Sequence, residues 1–185
     1  MPGSLLPGIF TELTFPFGRG ILVKRRVKAV TKAEKVVQKL TQRNWRISFA
    51  ESCTGGLAAA ELVSIASASS VFDQSFVTYA DEAKVALLGV DKQAIASFGV
   101  VSDQVALQMA VGTAARTGAQ VAVGISGIAG PTGAVPGKPV GMVCFGFVIG
   151  EERFAVTKQF GNIGRNAVRA ASVEFVYDTL AEKLK

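Results

Sequence analysis

Histidine is absent from this chain, and with it goes the side chain that most often serves as general base near neutral pH and as transition-metal ligand. Ser-His-Asp and Cys-His catalytic arrangements are excluded, so any general base must be Lys, Asp, Glu, Tyr or a terminus. Cysteine is nearly as scarce. Cys53 and Cys144 are too few for a four-cysteine zinc site or a disulfide framework, so no metal is expected and a reduced, cytoplasmic protein is the default. Nor does any uninterrupted apolar run approach the roughly 18 to 20 residues of a membrane helix, so a soluble chain without a membrane partner is expected.

What is present is a chain of 185 residues, 49% hydrophobic and 18% charged, long enough for one domain with a sizeable core. Its net charge of +6 is unevenly placed: residues 1–46 carry ten Lys or Arg against two acids, and the rest ten against twelve. The basic excess belongs to the leader and first helix, while the glycine-rich motifs lie in a slightly acidic region. That distribution argues against specific nucleic-acid binding. Residues 1 to about 30, with Pro2, Pro7 and Pro16, show no sustained period and read as a flexible leader. Lys24, Arg25 and Arg26 follow its apolar region, the reverse of a secretory signal.

Regular signals begin at Thr31. Thr31 and Glu34 have the spacing of a capping box, and Val36, Val37 and Leu40 supply the apolar face of a helix to about Arg43. Strands are expected at Arg46 to Ala50, near Phe76 to Tyr79, at Gln120 to Ser126, Val140 to Ile149 and Arg153 to Phe160. Helices are expected at Leu57 to Ala66, Asp81 to Leu88 (stopped by Gly89), Asp91 to Phe98, Asp103 to Thr117 and Asn166 to Leu184. The alternation predicts one α/β domain over 31–185, with helices on both sides of a central sheet. A hairpin through Gly150-Glu151-Glu152 would make that sheet mixed.

Three segments could carry chemistry. Glu51-Ser52-Cys53-Thr54-Gly55-Gly56 joins a strand to a helix, where unpaired N–H groups and the positive dipole end favour developing negative charge. Ser52 there is a candidate nucleophile, and Gly55 and Gly56 allow a substrate close approach; in the alternative, Ser52 or Thr54 merely caps the helix. The loop Gly127 to Lys138, with Gly127 and Gly130 at its start, could wrap a nucleotide phosphate or ribose through its N–H groups, or could simply connect two strands. Lys84 lies near the start of a helix after Tyr79, where the dipole would lower its pKa and make it a usable base. The competing reading is a solvated Lys84 kept charged by Asp81 and Glu82.

Taken together, Ala50 to Gly56 (AESCTGG), Phe76 to Lys84 (FVTYADEAK), Gly99 to Ser102 (GVVS), Gly124 to Gly133 (GISGIAGPTG) and Lys138 to Gly141 (KPVG) resemble, in order and spacing, the CinA C-terminal domain family. The resemblance covers roughly residues 31 to 184. It implies a three-layer α/β/α sandwich with a mixed sheet. For the stand-alone bacterial members it implies hydrolysis of the carboxamide of nicotinamide mononucleotide, giving nicotinic acid mononucleotide and ammonia in pyridine nucleotide recycling. By position, the family's serine nucleophile falls on Ser52, its tyrosine on Tyr79 and its lysine on Lys84. Ser126 is the residue before the Gly-x-Ala-Gly-Pro loop. No cofactor is implied, the partner is a small-molecule nucleotide, and a homo-oligomer, as a dimer, is suggested.

The implied chemistry is attack by Ser52, with Lys84 taking its proton directly or through Tyr79, and N–H groups around Cys53 to Gly56 stabilising the oxyanion. Thr54, Gly55, Gly56, Ser126, Gly127, Gly130 and Arg165 are the expected substrate contacts. Two departures stand out. Phe160-Gly161-Asn162-Ile163-Gly164-Arg165 carries an insertion relative to the family's Phe-x-Gly-Asp/Asn-Arg pattern, so Arg165 matches the phosphate-contacting arginine with Arg169 as the alternative. The leader has no counterpart in the short members, and the N-terminal domain of full-length CinA proteins, with its pyrophosphatase activity, is not expected. The runner-up function is a non-catalytic nucleotide-binding or regulatory module of the same fold.

Overall fold

The computed structural model describes residues 29–184; the leader expected over 1–30 lies, apart from its last two residues, outside them. In chain order the elements are α1 (Lys32–Arg43), β1 (Ile47–Glu51), α2 (Leu57–Val63), β2 (Phe76–Val77), α3 (Asp81–Leu88), α4 (Lys92–Phe98), α5 (Asp103–Thr117), β3 (Val121–Gly127), β4 (Met142–Ile149), β5 (Glu152–Gln159) and α6 (Arg165–Lys183). The strands form one sheet in the order β2-β1-β3-β4-β5. The first three are parallel, and β3, β4 and β5 pair antiparallel. The fold is therefore the mixed α/β/α sandwich that the alternation predicts.

Local signals set most boundaries. Thr31 and Glu34 close the capping box of α1, and Gly89 ends α3 in the left-handed region at φ 69°. Three expectations were too long, one of them the strand from Val140, which starts at Met142. The helix after the first strand ends at Val63, followed by a 3-10 turn at Ala68–Ser70. The strand near Phe76 to Tyr79 pairs only through Phe76 and Val77, and the Thr78 N–H bond to Glu51 O (2.9 Å) is its last rung to β1.

On one face of the sheet, α1, α2 and α6 cover Ile47, Phe49, Val121, Val123, Ile125, Phe145 and Phe147. On the other, α3, α4 and α5 pack through Leu88, Ala94, Val105 and Met109 onto Ala50. That second face is carved flat by two glycines opposite each other in register, Gly124 and Gly146. A Cβ on either would come within 2.2 or 2.1 Å of Ala106 O, so α5 lies closer to β3 and β4 than any side chain would permit. Close packing of α5 fixes the Gly99–Ser102 turn at its N-terminus, where Ser102 caps the helix by accepting from Val105 N. The carboxyl ends of β1, β2 and β3 open together at the point where the chain runs to opposite sides of β1, the usual place for a site in such sheets. Glu51, Val77 and Ile125 mark that edge.

Candidate active site

The turn after β1 is held by two side chains, one from the strand itself and one from α6. Glu51 is fully buried, and its carboxylate accepts from the N–H groups of Gly56 (2.9 Å), Ala58 (3.1 Å) and Ala59 (2.9 Å). It therefore caps α2 from the preceding strand. The residue at the N-cap itself, Gly56, supplies no side chain, so neither Ser52 nor Thr54 is the cap. Arg169 on α6 donates from Nε to Cys53 O (3.1 Å) and from Nη2 to Thr54 O (3.0 Å). Ser52, half-buried, donates its N–H to Ile125 O at 3.0 Å, tying the turn to β3.

These contacts correct the expected oxyanion donors. Gly55 N–H is committed to Ser52 O (3.1 Å) and Gly56 N–H to Glu51. The N–H groups of Cys53 and Thr54, immediately after Ser52, make no backbone hydrogen bond among the described residues. Cys53 itself is a poor rival nucleophile, since burial pushes its thiol up to about 12 and only the thiolate reacts. Thr54 is fully buried with its Oγ1 unpartnered, whereas Gly55 is exposed and Gly56 half-buried.

Lys84 is 1% exposed, so the solvated reading of this lysine is wrong. Its Nζ donates to Tyr79 O (3.2 Å), Ala80 O (3.4 Å) and Asp81 Oδ1 (3.5 Å). Burial holds its pKa below the usual lysine value, opposed by Asp81 and, more weakly, by Cys53 and Glu82. Burial is thus the leading cause. The Tyr79 and Ala80 carbonyls that accept from the ammonium favour its charged form and so oppose burial.

A cavity of about 500 Å³ is lined by Tyr79, Gly99–Val101, Gly127–Gly130, Thr132, Gly133, Val135, Lys138 and Arg165, and neither Ser52 nor Lys84 is among its lining residues. Its wall contains two cations and no carboxylate, which suits an anionic ligand. Arg165 lies across its mouth, donating to Gly130 O (2.8 Å) and to the Tyr79 hydroxyl (3.0 Å). Tyr79 is 62% exposed, and it meets Lys84 with its carbonyl and not its hydroxyl. Ser126 is buried and spends its Oγ on Val100 O (2.7 Å), so it braces the cavity wall. Of the residues selected from the sequence, Tyr79, Gly127, Gly130 and Arg165 meet in this wall, while Ser52, Thr54, Gly55, Gly56 and Lys84 lie outside its lining.

Lys138 was not singled out as a contact, yet it lines the cavity and donates to Phe98 O. Its signal was its place in the Lys-Pro-Val-Gly segment. A second cavity, about 390 Å³ between α1, α2 and α6, places Glu61 and Glu174 beside Lys32, the opposite charge character. Among the described residues no group of three His, Cys, Asp or Glu is placed to hold a metal, and no helix is long and apolar enough to cross a membrane.

The architecture and the motifs converge on one class. A family model, the CinA C-terminal domain, matches residues 29–184, and the chain belongs to that family. The nicotinamide-nucleotide amidohydrolase PncC of Enterobacter agglomerans is 45% identical over 140 residues, covering 76% of this chain and 85% of that protein. A CinA-like protein of Kosmotoga olearia is 41% identical over 151 residues, covering 82% of this chain, which spans only 36% of that relative's length. Among solved structures, the competence/damage inducible protein CihA from Agrobacterium tumefaciens superposes with a TM-score of 0.78 at 41% identity, over 80% of this chain and 91% of that one. A competence-damaged protein (CinA) superfamily protein from Enterobacter cloacae gives 0.81 at 28% identity, over 91% and 99%.

Proposed function

We propose that this protein is an amidohydrolase that converts nicotinamide mononucleotide to nicotinic acid mononucleotide and ammonia, in pyridine nucleotide recycling, by a serine nucleophile and a lysine base. The observation that carries the mechanism is the burial of Lys84 at the same strand edge as Ser52, in a chain with no histidine. The similarity to the amidohydrolase of Enterobacter agglomerans supports the reaction class. The cation-lined cavity supports a phosphate-bearing substrate.

In this reading Ser52 Oγ attacks the carboxamide carbon while neutral Lys84 takes the hydroxyl proton. The carbonyl oxygen becomes an oxyanion facing the N–H groups of Cys53 and Thr54. As the intermediate collapses, the C–N bond breaks and Lys84 returns the proton to the leaving nitrogen, releasing ammonia. Water then attacks the acyl-serine, Lys84 takes its proton, and the carboxylate product leaves as Ser52 recovers its hydrogen. Direct transfer by Lys84 fits better than a relay through Tyr79, whose hydroxyl faces Arg165. Tyr79 and Arg165 then serve the nucleotide end. A homo-oligomer, a cytoplasmic location and independence of cofactors belong to the same proposal.

Incubating the purified full chain with nicotinamide mononucleotide should yield nicotinic acid mononucleotide and ammonia in equal amounts. Absence of both products, with a folded protein, would remove the reading.

A further inference from the structure

Arg165 and Arg169 lie one helical turn apart on α6, but only Arg165 lines the cavity. Arg169 faces the nucleophile turn, and its three nitrogens are engaged within the chain: Nε on Cys53 O, Nη2 on Thr54 O and Nη1 on Asn166 Oδ1 (3.1 Å). Among the described residues it has no carboxylate partner. Two of its contacts are thus peptide carbonyls in consecutive planes, which is a demanding arrangement that a guanidinium's fixed fork suits and an ammonium does not.

The consequence follows from peptide planarity. In a trans peptide the C=O and N–H of one plane point in opposite directions. The Cys53 carbonyl shares its plane with the Thr54 N–H, and the Thr54 carbonyl shares its plane with the Gly55 N–H. Holding both carbonyls on one guanidinium therefore directs both N–H groups away from Arg169. Gly55 N–H closes the turn on Ser52 O, and the N–H of the buried Thr54 makes no backbone hydrogen bond among the described residues. A cation on the carbonyl side also draws electron density from the peptide, which strengthens its N–H as a donor.

We propose that Arg169 is a positioning residue for catalysis: by gripping the Cys53 and Thr54 carbonyls, its guanidinium aims the Thr54 N–H at the oxygen that becomes negative when Ser52 attacks. The kinetic part of this inference rests on the amidohydrolase reading, and the conformational part does not.

Both parts can be read on the same variants. In Arg169→Ala, kcat for nicotinamide mononucleotide should fall about 100-fold, the range for loss of one oxyanion donor, with KM little changed. Added guanidinium ion, well below denaturing concentration, should restore part of kcat, and Arg169→Lys, which keeps the charge without the fork, should recover only part. A raised KM at unchanged kcat would make Arg169 a substrate contact and overturn the proposal. The backbone amide resonances of Cys53, Thr54 and Gly55, recorded without substrate, should shift or broaden in Arg169→Ala and stay in place in Arg165→Ala. If they are unmoved in Arg169→Ala, the turn holds itself and the proposal fails whatever the activity. If the wild type forms no nicotinic acid mononucleotide, the substrate reading is what has failed, and the amide resonances alone judge the clamp.

Discussion

The turn that follows β1 and the glycine-rich loop that follows β3 lie on the same edge of the sheet but are built on opposite plans. In the turn, a fully buried carboxylate takes three N–H groups and an arginine takes two carbonyls, so the backbone around Ser52 is fixed from both sides. In the loop, residues 131–137 are all exposed. The loop is held by a short pairing of Val135 with Lys138 around Pro136-Gly137, by Arg165 reaching from α6 to Gly130 O, and by Lys138 reaching out to Phe98 O. The contrast matches what each part would do in the proposed mechanism. An oxyanion site needs donors aimed in advance, whereas a recognition wall needs accessible surface and charge. Damage to the first should therefore appear in turnover or folding, and damage to the second in affinity.

The largest effect should come from the nucleophile. Ser52→Ala is expected to lower kcat by at least about 1000-fold with the fold intact, since only a small half-buried hydroxyl is lost. Cys53→Ala should keep most activity because its thiol stays protonated near neutral pH. Parallel steady-state assays decide it, and the reverse pattern would move the nucleophile to Cys53.

Next is Glu51→Ala, which leaves three N–H groups at the start of α2 without their acceptor, that of Ala58 buried and those of Gly56 and Ala59 partly so. Each such group costs roughly 1–3 kcal/mol, so a loss of about 3 kcal/mol or more is expected in urea unfolding. A stability change near zero would mean that water replaces the carboxylate and that the turn is not fixed as described. On the loop side, Arg165→Ala should leave stability nearly unchanged, since the side chain is exposed. It should raise KM for the mononucleotide about 10-fold and narrow its preference over the dephosphorylated riboside. If Arg165→Ala instead lowered kcat alone, the separation between turn and loop would break down.

Much of this was legible in the sequence because it is local. The capping box at Thr31, the stop at Gly89 and the period of Val105, Met109 and Ala110 each depend on neighbours within a turn of helix. The candidate chemistry of Ser52 and Lys84 was legible in part: their positions at strand ends could be read, but the burial of Lys84 comes from packing. What was missed is non-local. Arg169 meets Cys53 and Thr54 across 116 and 115 positions, and no spacing rule reaches that far. Glu51 did leave a trace, as an acid ending an otherwise uncharged strand before a helix whose N-cap is glycine. The short β2 was overread because its continuation, Thr78-Tyr79, has strand-like residues whose place at the sheet edge leaves them only one neighbour.

The finest test concerns Asp81, which touches Lys84 Nζ at 3.5 Å while remaining about half exposed. Turnover in the proposed mechanism needs the neutral amine, so kcat/KM should rise with pH through the Lys84 pKa, which burial holds below its ordinary value. Asp81 opposes that effect by favouring the ammonium, with smaller help from Cys53 and Glu82. Asp81→Asn should therefore move the acidic limb to lower pH, by a modest amount because water screens the exposed carboxylate, and should leave the plateau largely in place. The stability sign is the opposite of an activating change. With the folded pKa below the unfolded one, the unfolded chain binds more protons, so stability is lowest below the folded pKa and recovers as pH rises towards the unfolded value. Lowering the folded pKa further widens that window, and Asp81→Asn should be slightly less stable near neutral pH. A limb that shifts to higher pH, or that does not move while Lys84→Met still abolishes turnover, would show that Asp81 does not set the charge of the base.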